Sequence, residues 1–396
     1  MNGEVRGRGR EPGSAAEDAA AAIQQLEGLG FDEPIILAYH PTSRLNPYQA
    51  LLYSGSWKHG IAALPLYYLD DFDDVVAVAS AAGARVALHL HWTNKVLEDS
   101  PNEAAARAAL EGFVARLDRL LAAGGHLIWT VHNALPHDTR LPAFEAALQQ
   151  AIVDRSTIVH VLSANTRQVV AEWFTIPEDR ILHVPHPNYI GAYVDVVSPE
   201  AARWELGIPP DDMVYALLGA IKPYKGLDQL IDAFDAALER DPGRRRLLVV
   251  GGPDDDPVTE AFLGRCVLHP FISLHARKIP GDEMPVFLRA ADIAVLPYLR
   301  SLNSGVLMLA LSFGIPVVAP AVGAMAEIVT PEIGRTFVPG DRDSLVAALI
   351  AADELRTPQA REAALRTART YDPARLSDEF SRGVAERLAS ARPAAV

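Results

Sequence analysis

The chain has 396 residues, 49% of them hydrophobic, and a formal net charge of −14. Such a length predicts two domains with sizeable cores, and the acidic balance argues against a nucleic-acid binder, which carries a basic footprint. With Cys266 as its single cysteine the chain has no internal disulfide framework, and no uninterrupted apolar run approaches the roughly 20 residues of a membrane-crossing helix, so a cytoplasmic location is expected.

In chain order, residues 1–10 are polar and rich in Arg and Gly, and the alanine run behind them is acidic at Glu17 and Asp18. Residues 1–30 therefore read as a flexible N-terminal arm with a short helix rather than a signal peptide. Apolar, β-rich runs follow at 35–39, 63–67, 86–90, 127–131, 158–161 and 181–184, with helical patterns between them. Most are continuously apolar, as expected of parallel strands covered on both faces. In the helix expected over 104–122, Leu110, Phe113, Val114, Leu117, Leu120 and Leu121 form one stripe. Its Arg107, Arg116 and Arg119 read as a solvated face, with contact to a membrane surface as the other reading.

Pro, Asn, Gly and Ser cluster near 187–200, the expected domain boundary. Ser198 is placed to cap a helix that has Pro199 in its first turn. A second strand series follows at 214–218, 247–250, 272–274, 293–296, 316–319 and 335–338, and the break Tyr371-Asp372-Pro373 precedes a last helix at 376–388. Two series of alternating strands and helices imply an α/β protein of two doubly wound, Rossmann-like domains. The expected division is 31–195 and 196–375, with 376–396 a C-terminal helix.

In open α/β sheets, ligands bind beyond the carboxyl ends of the strands, so the residues after each strand carry the functional reading. Behind 214–218 stands Gly-Ala-Ile-Lys-Pro-Tyr-Lys-Gly, residues 219–226, followed by a helical pattern. Gly219 permits close backbone approach, Lys222 and Lys225 supply positive charge, and a helix N-terminus supplies unpaired N–H groups, a set suited to a diphosphate. A plain strand-to-helix turn with solvated lysines is the alternative. Behind 293–296, Asn303 or Ser304 can cap an apolar helix, and Gly305 leaves its first amides uncovered, giving a second anion-facing helix start in the same domain.

In the first half, His132 and Asn133 stand at the end of the strand 127–131. Such a pair hydrogen-bonds sugar hydroxyls, and a histidine can act as a base near neutral pH; a structural histidine holding a loop is the alternative. The other polar strand ends, His40, Arg44, Asn46 and Tyr48 after the first strand and His91 and Trp92 after the third, fit an acceptor cleft with Tyr48 and Trp92 as aromatic platforms. His89 and His91 alternate along a strand as metal ligands can, but no third ligand stands at a diagnostic spacing. The aspartate runs at 70–74 and 254–256 read as solvated caps before they read as cation ligands for a nucleotide diphosphate. Neither a metal nor another cofactor is expected.

These motifs resemble the GT-B glycosyltransferases, in particular the large group 1 family that includes bacterial polysaccharide and glycolipid transferases. The resemblance covers most of the chain and is strongest over 214–341. The family's diphosphate loop, Gly-Arg-Leu-x-x-x-Lys-Gly, stands here at 219–226, with Lys225 matching its lysine and Ala220 replacing its arginine. Gly-Ile-Pro-Val-Val-Ala at 314–319 matches the family's Gly-x-Pro-Val-Val-Ala. By that register Ser301 and Leu309 stand where the family carries two glutamates, one on the transferred sugar and one on the ribose. Pro185-His186-Pro187-Asn188 is similar to the interdomain segment, and 323–329, with Glu327, to the family's domain end.

What the resemblance implies is a GT-B fold with two domains facing a cleft. A nucleotide-sugar donor would lie on the second domain and a saccharide or glycolipid acceptor on the first, with possible peripheral membrane contact. Gly219, Lys222, Lys225, Asn303, Ser304 and Gly305 would hold the diphosphate. Ser301, Glu327 and Asn133 would meet the donor's sugar or nucleotide, and His132 would be the catalytic base of an inverting reaction. In a retaining one, the departing phosphate would take the proton. The competing readings are a non-catalytic GT-B protein that has lost its chemistry with its glutamates and binds a nucleotide sugar or a partner transferase, and a nucleotide-sugar epimerase on the same scaffold.

Overall fold

The computed structural model describes residues 14–43, 46–136, 139–240 and 244–391. Two six-stranded parallel sheets form its centre. The first comprises β1 Ile35–His40, β2 Ile61–Pro65, β3 Arg85–Leu90, β4 His126–Val131, β5 Ile158–Val161 and β6 Ile181–His183, in the order β2-β1-β3-β4-β5-β6. The second comprises β7 Met213–Leu218, β8 Arg245–Val250, β9 Ile272–His275, β10 Ile293–Val295, β11 Val317–Pro320 and β12 Gly334–Phe337, in the order β12-β11-β10-β7-β8-β9. Both are doubly wound, and the winding reverses between β1 and β3 in one sheet and between β7 and β10 in the other. Those two reversals are where such sheets open a crevice.

Every expected strand is present. β2 starts two residues earlier than its apolar run suggests, because Ile61 pairs with Ile35 of β1. Tyr67 and Tyr68 are thereby left beyond the strand and exposed. Alternation sorts the buried side chains to opposite faces. In the first sheet Ile36, Ala38, Leu127 and Trp129 pack with Phe72 and Leu117, while Ile35, Leu37, Ala87, Ile128 and Ile158 pack with Leu52 and Phe380. In the second, Val214 and Ala216 face Leu307 and Leu311, and Tyr215 and Leu217 face Phe234 and Leu349.

The short helix expected within residues 1–30 is Ala15–Gly28, which is not part of a flexible arm but buries Ala19, Ile23 and Leu26 on the first domain. A capping box starts it: Glu17 N–H donates to Ser14 Oγ (3.3 Å) and Ser14 N–H to Glu17 Oε2 (3.0 Å). Residues 1–13 lie outside the described residues.

The helix over 104–122 is observed as Glu103–Ala122, capped by Asn102. Of its arginines, Arg116 pairs with Asp70 and Arg107 lies over the Phe144 ring. The C-terminal helix Pro373–Ser390 starts a turn early, since Asp372 caps it and Pro373 fits its first turn. It returns to the first domain and buries Leu376, Phe380, Val384 and Leu388 there. Ser377 Oγ accepts from Gly55 N–H (2.8 Å), and Ser381 and Ser56 hydroxyls share a hydrogen bond (2.9 Å). Among the described residues no helix is long and apolar enough to cross a membrane.

Candidate active site

The second domain builds its side of the cleft from backbone. Gly219, directly after β7, has φ +83°, and Gly226 has φ +68°, conformations that favour glycine. A Cβ on Gly226 would lie 2.3 Å from the Pro297 carbonyl oxygen, and one on Gly251, after β8, would lie 2.0 Å from that of Gly219. The loops behind β7, β8 and β10 are thus packed backbone to backbone. Lys225 is buried at 2% exposure; its Nζ donates to the Leu218 carbonyl (3.1 Å) and sits 5.7 Å from the Tyr298 ring centre. Burial first, and then the charge of Lys222, pushes its amine down to about 7. Lys222 is half-buried and pairs with Asp254 (3.1 Å).

Behind β10, Ser304 caps the helix Gly305–Ser312 by accepting from Leu307 N–H (3.2 Å). Ser301 Oγ donates to the Asn303 carbonyl (2.9 Å), which closes the turn before the cap. Leu309, at the second glutamate position of the resemblance, is 8% exposed and belongs to the domain core. A carboxylate there would be buried in apolar surroundings. The aspartate runs act locally: Asp256 caps the helix Pro257–Leu268, and Asp70 and Asp254 are ion-paired.

The first domain builds its side from side chains. Period-two alternation puts His89 and His91, Thr130 and His132, and His160 on one face of adjacent strand ends. Tyr53 Oη lies 2.7 Å from both His89 Nδ1 and His91 Nε2. Thr130 Oγ1 lies 2.7 Å from His89 Nε2 and 2.9 Å from His160 Nδ1. His160 Nε2 is 2.9 Å from the Val184 carbonyl oxygen, and His91 Nδ1 is 3.1 Å from His132 Nε2. Phe380 stacks on His89 with ring centres 5.4 Å apart, and Trp92 stacks on His132 at 4.5 Å. Burial is the main cause that lowers all four histidines: His89, His91 and His132 well below their ordinary value, His160 to about 4. His89 and His91 are therefore neutral hydrogen-bonding groups. Among the described residues no group of three or more His, Cys, Asp or Glu is arranged to hold a metal.

A cavity of about 590 Å³ separates these two sides, lined by His91, Trp92, His132 and Asn133 of the first domain and by Lys222 and Tyr224 of the second. Among the described residues, hydrogen bonds at Asn303 and at Glu327 join the domains around it. Asn303 Nδ2 donates to the backbone carbonyl of His132 (2.8 Å), so the helix-capping loop holds the histidine's own segment. Glu327 accepts from Ser163 Oγ (2.9 Å) and Asn165 N–H (2.9 Å), and Asn165 Nδ2 donates to the Gly323 carbonyl (3.1 Å).

Several expected acceptor residues sit elsewhere. His40 Nδ1 donates to the Leu66 carbonyl (3.1 Å), and Asn46 Oδ1 accepts from Tyr48 N–H and Tyr189 Oη, each at 3.0 Å. Tyr48 is no open platform: at 1% exposure it packs behind His91, His132 and His186, because its segment is covered by the first domain's core. Arg44 lies outside the described residues. Glu327, expected at the donor, has its carboxylate occupied by the first domain. The cavity instead reaches Trp129, Glu145 and Gln149, which sequence reading passed over. Each carries a buried polar atom with no hydrogen bond among the described residues, and burial raises Glu145 to about 7. The four-residue spacing of Glu145 and Gln149, one helix face, was the available signal.

Residues 213–352 match the family model for glycosyl transferases group 1. A D-inositol 3-phosphate glycosyltransferase of Corynebacterium glutamicum is 30% identical over 65% of this chain and 64% of its own length, so the match spans less than two thirds of that relative. One from Saccharomonospora viridis is 34% identical over 44% of the chain and 42% of its own. Sucrose-phosphate synthase of Thermosynechococcus elongatus superimposes with a TM-score of 0.68 at 17% identity, covering 91% of this chain and 100% of that one. Anabaena HepE in complex with UDP-glucose does so with a TM-score of 0.63 at 14% identity, covering 89% and 99%. The chain therefore has the GT-B fold of two facing doubly wound domains, and its residues 213–352 are similar to the group 1 glycosyl transferases.

Proposed function

We propose that the protein is a metal-independent glycosyltransferase that moves a sugar from a nucleotide-diphosphate donor to a hydroxyl of a saccharide or glycolipid, in polysaccharide or glycoconjugate synthesis. The observation that carries this reading is the cavity walled by both domains, with Lys222 and Tyr224 on one side and His132 on the other. The diphosphate would lie against Lys222, Lys225, the Gly219 turn and the amides at Gly305. As the bond between the anomeric carbon and the phosphate oxygen breaks, its electron pair goes to the diphosphate, where the lysines and the helix start stabilise it. The acceptor oxygen forms the new bond to that carbon, and its proton goes to His132.

The positive groups already present supply the charge that a divalent cation would otherwise bring. The D-inositol 3-phosphate relatives support a hydroxylated ring as acceptor, and the UDP-glucose bound by HepE supports a uridine donor in first place. Trp129, Glu145 and Gln149 would meet acceptor hydroxyls. A glycolipid acceptor would bring the protein to the cytoplasmic face of a membrane as a peripheral visitor.

The test is calorimetric titration with UDP, GDP, ADP and TDP sugars in excess EDTA, followed by product analysis with any donor that binds. One donor is expected to bind without metal and to be consumed with an acceptor present. Binding without turnover on a broad acceptor panel would leave a non-catalytic protein, and conversion of the donor alone would leave an epimerase. Product stereochemistry then reads the proton's destination: inversion for His132, retention for the departing phosphate.

A further inference from the structure

Outside the donor loops, the least ordinary feature of the molecule is that four histidines, a tyrosine and a threonine are joined end to end in the interior of the first domain with no carboxylate among them. We propose that this hydrogen-bond chain, anchored on the Val184 carbonyl, fixes His132 as its Nε2–H tautomer and presents its Nδ1 as a bare proton acceptor to the cavity. This rests on the reading of His132 as the base.

The direction of every link follows from the one end that cannot reverse. The Val184 carbonyl only accepts, so His160 Nε2, 2.9 Å away, carries a proton. A neutral imidazole has one N–H, so His160 Nδ1 accepts, and the donor is the Thr130 hydroxyl at 2.9 Å. With its hydrogen so directed, Thr130 Oγ1 accepts from His89 Nε2–H at 2.7 Å. His89 Nδ1 is then bare and accepts from the Tyr53 hydroxyl at 2.7 Å. Tyr53 Oη in turn accepts from His91 Nε2–H at 2.7 Å. His91 Nδ1 accepts from His132 Nε2–H at 3.1 Å. His132 Nδ1 ends the chain with a lone pair, and no hydrogen bond to it is made by the described residues.

The neutrality on which this depends has a physical source. His89, His91 and His160 are fully buried, and Phe380 of the C-terminal helix packs on His89 and His160 with ring centres 5.4 and 5.0 Å away. Burial disfavours the imidazolium form of each ring. Ring orientation is held as well as tautomer: His132 lies between the stacked Trp92 and the edge of Tyr48 (5.4 Å). His91, Tyr53, His89, Thr130 and His160 are thus positioning residues. Together they do for His132 what a buried carboxylate does for the histidine of a catalytic triad, which also selects tautomer and orientation.

The test is nitrogen-15 NMR of the full chain labelled at histidine, with His132 assigned from the signal lost in His132→Gln. Long-range proton–nitrogen correlations report which ring nitrogen is protonated. The wild type is expected to show His132 protonated at Nε2 and bare at Nδ1; a proton on Nδ1 would overturn the proposal. Thr130→Val keeps the side chain's shape and removes the link, so the segment from His89 to His132 can reverse. A mixture of His132 tautomers is then expected, with kcat lower by about tenfold and donor KM unchanged. A folded Thr130→Val protein with an unaltered His132 tautomer would equally overturn it, and if that variant does not fold, the wild-type spectrum decides. Should the expected tautomer be found while His132→Gln retains full transfer activity, it is the assignment of His132 as base that fails, not the chain that orients it.

Discussion

The carboxyl ends of the two sheets face each other across one cavity, yet they are made in different ways. Behind β7 and β10 the side is mostly main-chain, two glycines with positive φ and the start of a helix capped by Ser304, joined by two lysine side chains within eight residues of Gly219. Behind β3, β4 and β5 the working groups are side chains, and what orients them comes from afar: Tyr53, Val184 and, from the chain's other end, Phe380. The contrast suits what each side would do. Fixed dipoles and cations stabilise charge at a diphosphate without reorganisation, whereas a base must be held in one protonation state and one ring orientation. A local motif suffices for the first task; the second needs a built interior.

The sharpest way to break this division is to remove the base. His132→Ala should lower kcat by about 10²–10⁴-fold and leave donor affinity, read by calorimetry, nearly unchanged. An equal loss in donor affinity would move His132 to the donor side. Next comes the cation: Lys225→Met should cut transfer by about 10²–10³-fold.

Lys225 also carries a pH signature. Its amine is held near 7 in the free protein, so it is cationic below that pH and loses its charge above it. A bound diphosphate favours the charged form. Donor affinity should therefore fall as pH rises through about 7, with proton uptake on binding above that pH, and both effects should vanish in Lys225→Met. The smallest expected effect tests the join between the two sides. Glu327→Ala removes hydrogen bonds to Ser163 and Asn165 on the first domain, and should cost about 1 kcal/mol in denaturant unfolding while sparing donor affinity. Lost donor binding at unchanged stability would return Glu327 to the donor site.

The loops of the second domain were legible as places because their signals are contiguous: Gly219, Lys222, Lys225 and the Asn303–Ser304–Gly305 turn stand in two short segments, each behind an apolar run. The strand ends of the first domain were legible as places but not as roles. His40, Asn46 and Tyr48 follow β1 as expected, yet their polar or aromatic groups turn inward to Leu66, Tyr189 and the histidine cluster. His89 looked like a metal-ligand candidate and is a link in a hydrogen-bond chain. Glu145 carries no local mark of its burial beyond its spacing from Gln149.

By itself the sequence determined the α/β class, the strands, and where the glycines and lysines of the second domain stand behind them. These follow from apolar period, turn residues and short-range geometry, which act within a few residues of one another. Only the tertiary structure decided which polar residues are buried, which way each hydrogen bond runs and which carboxylate joins the domains. Those outcomes depend on contacts between segments tens to hundreds of residues apart, such as Phe380 on His89 and Asn303 on His132, and on the low dielectric that those contacts create.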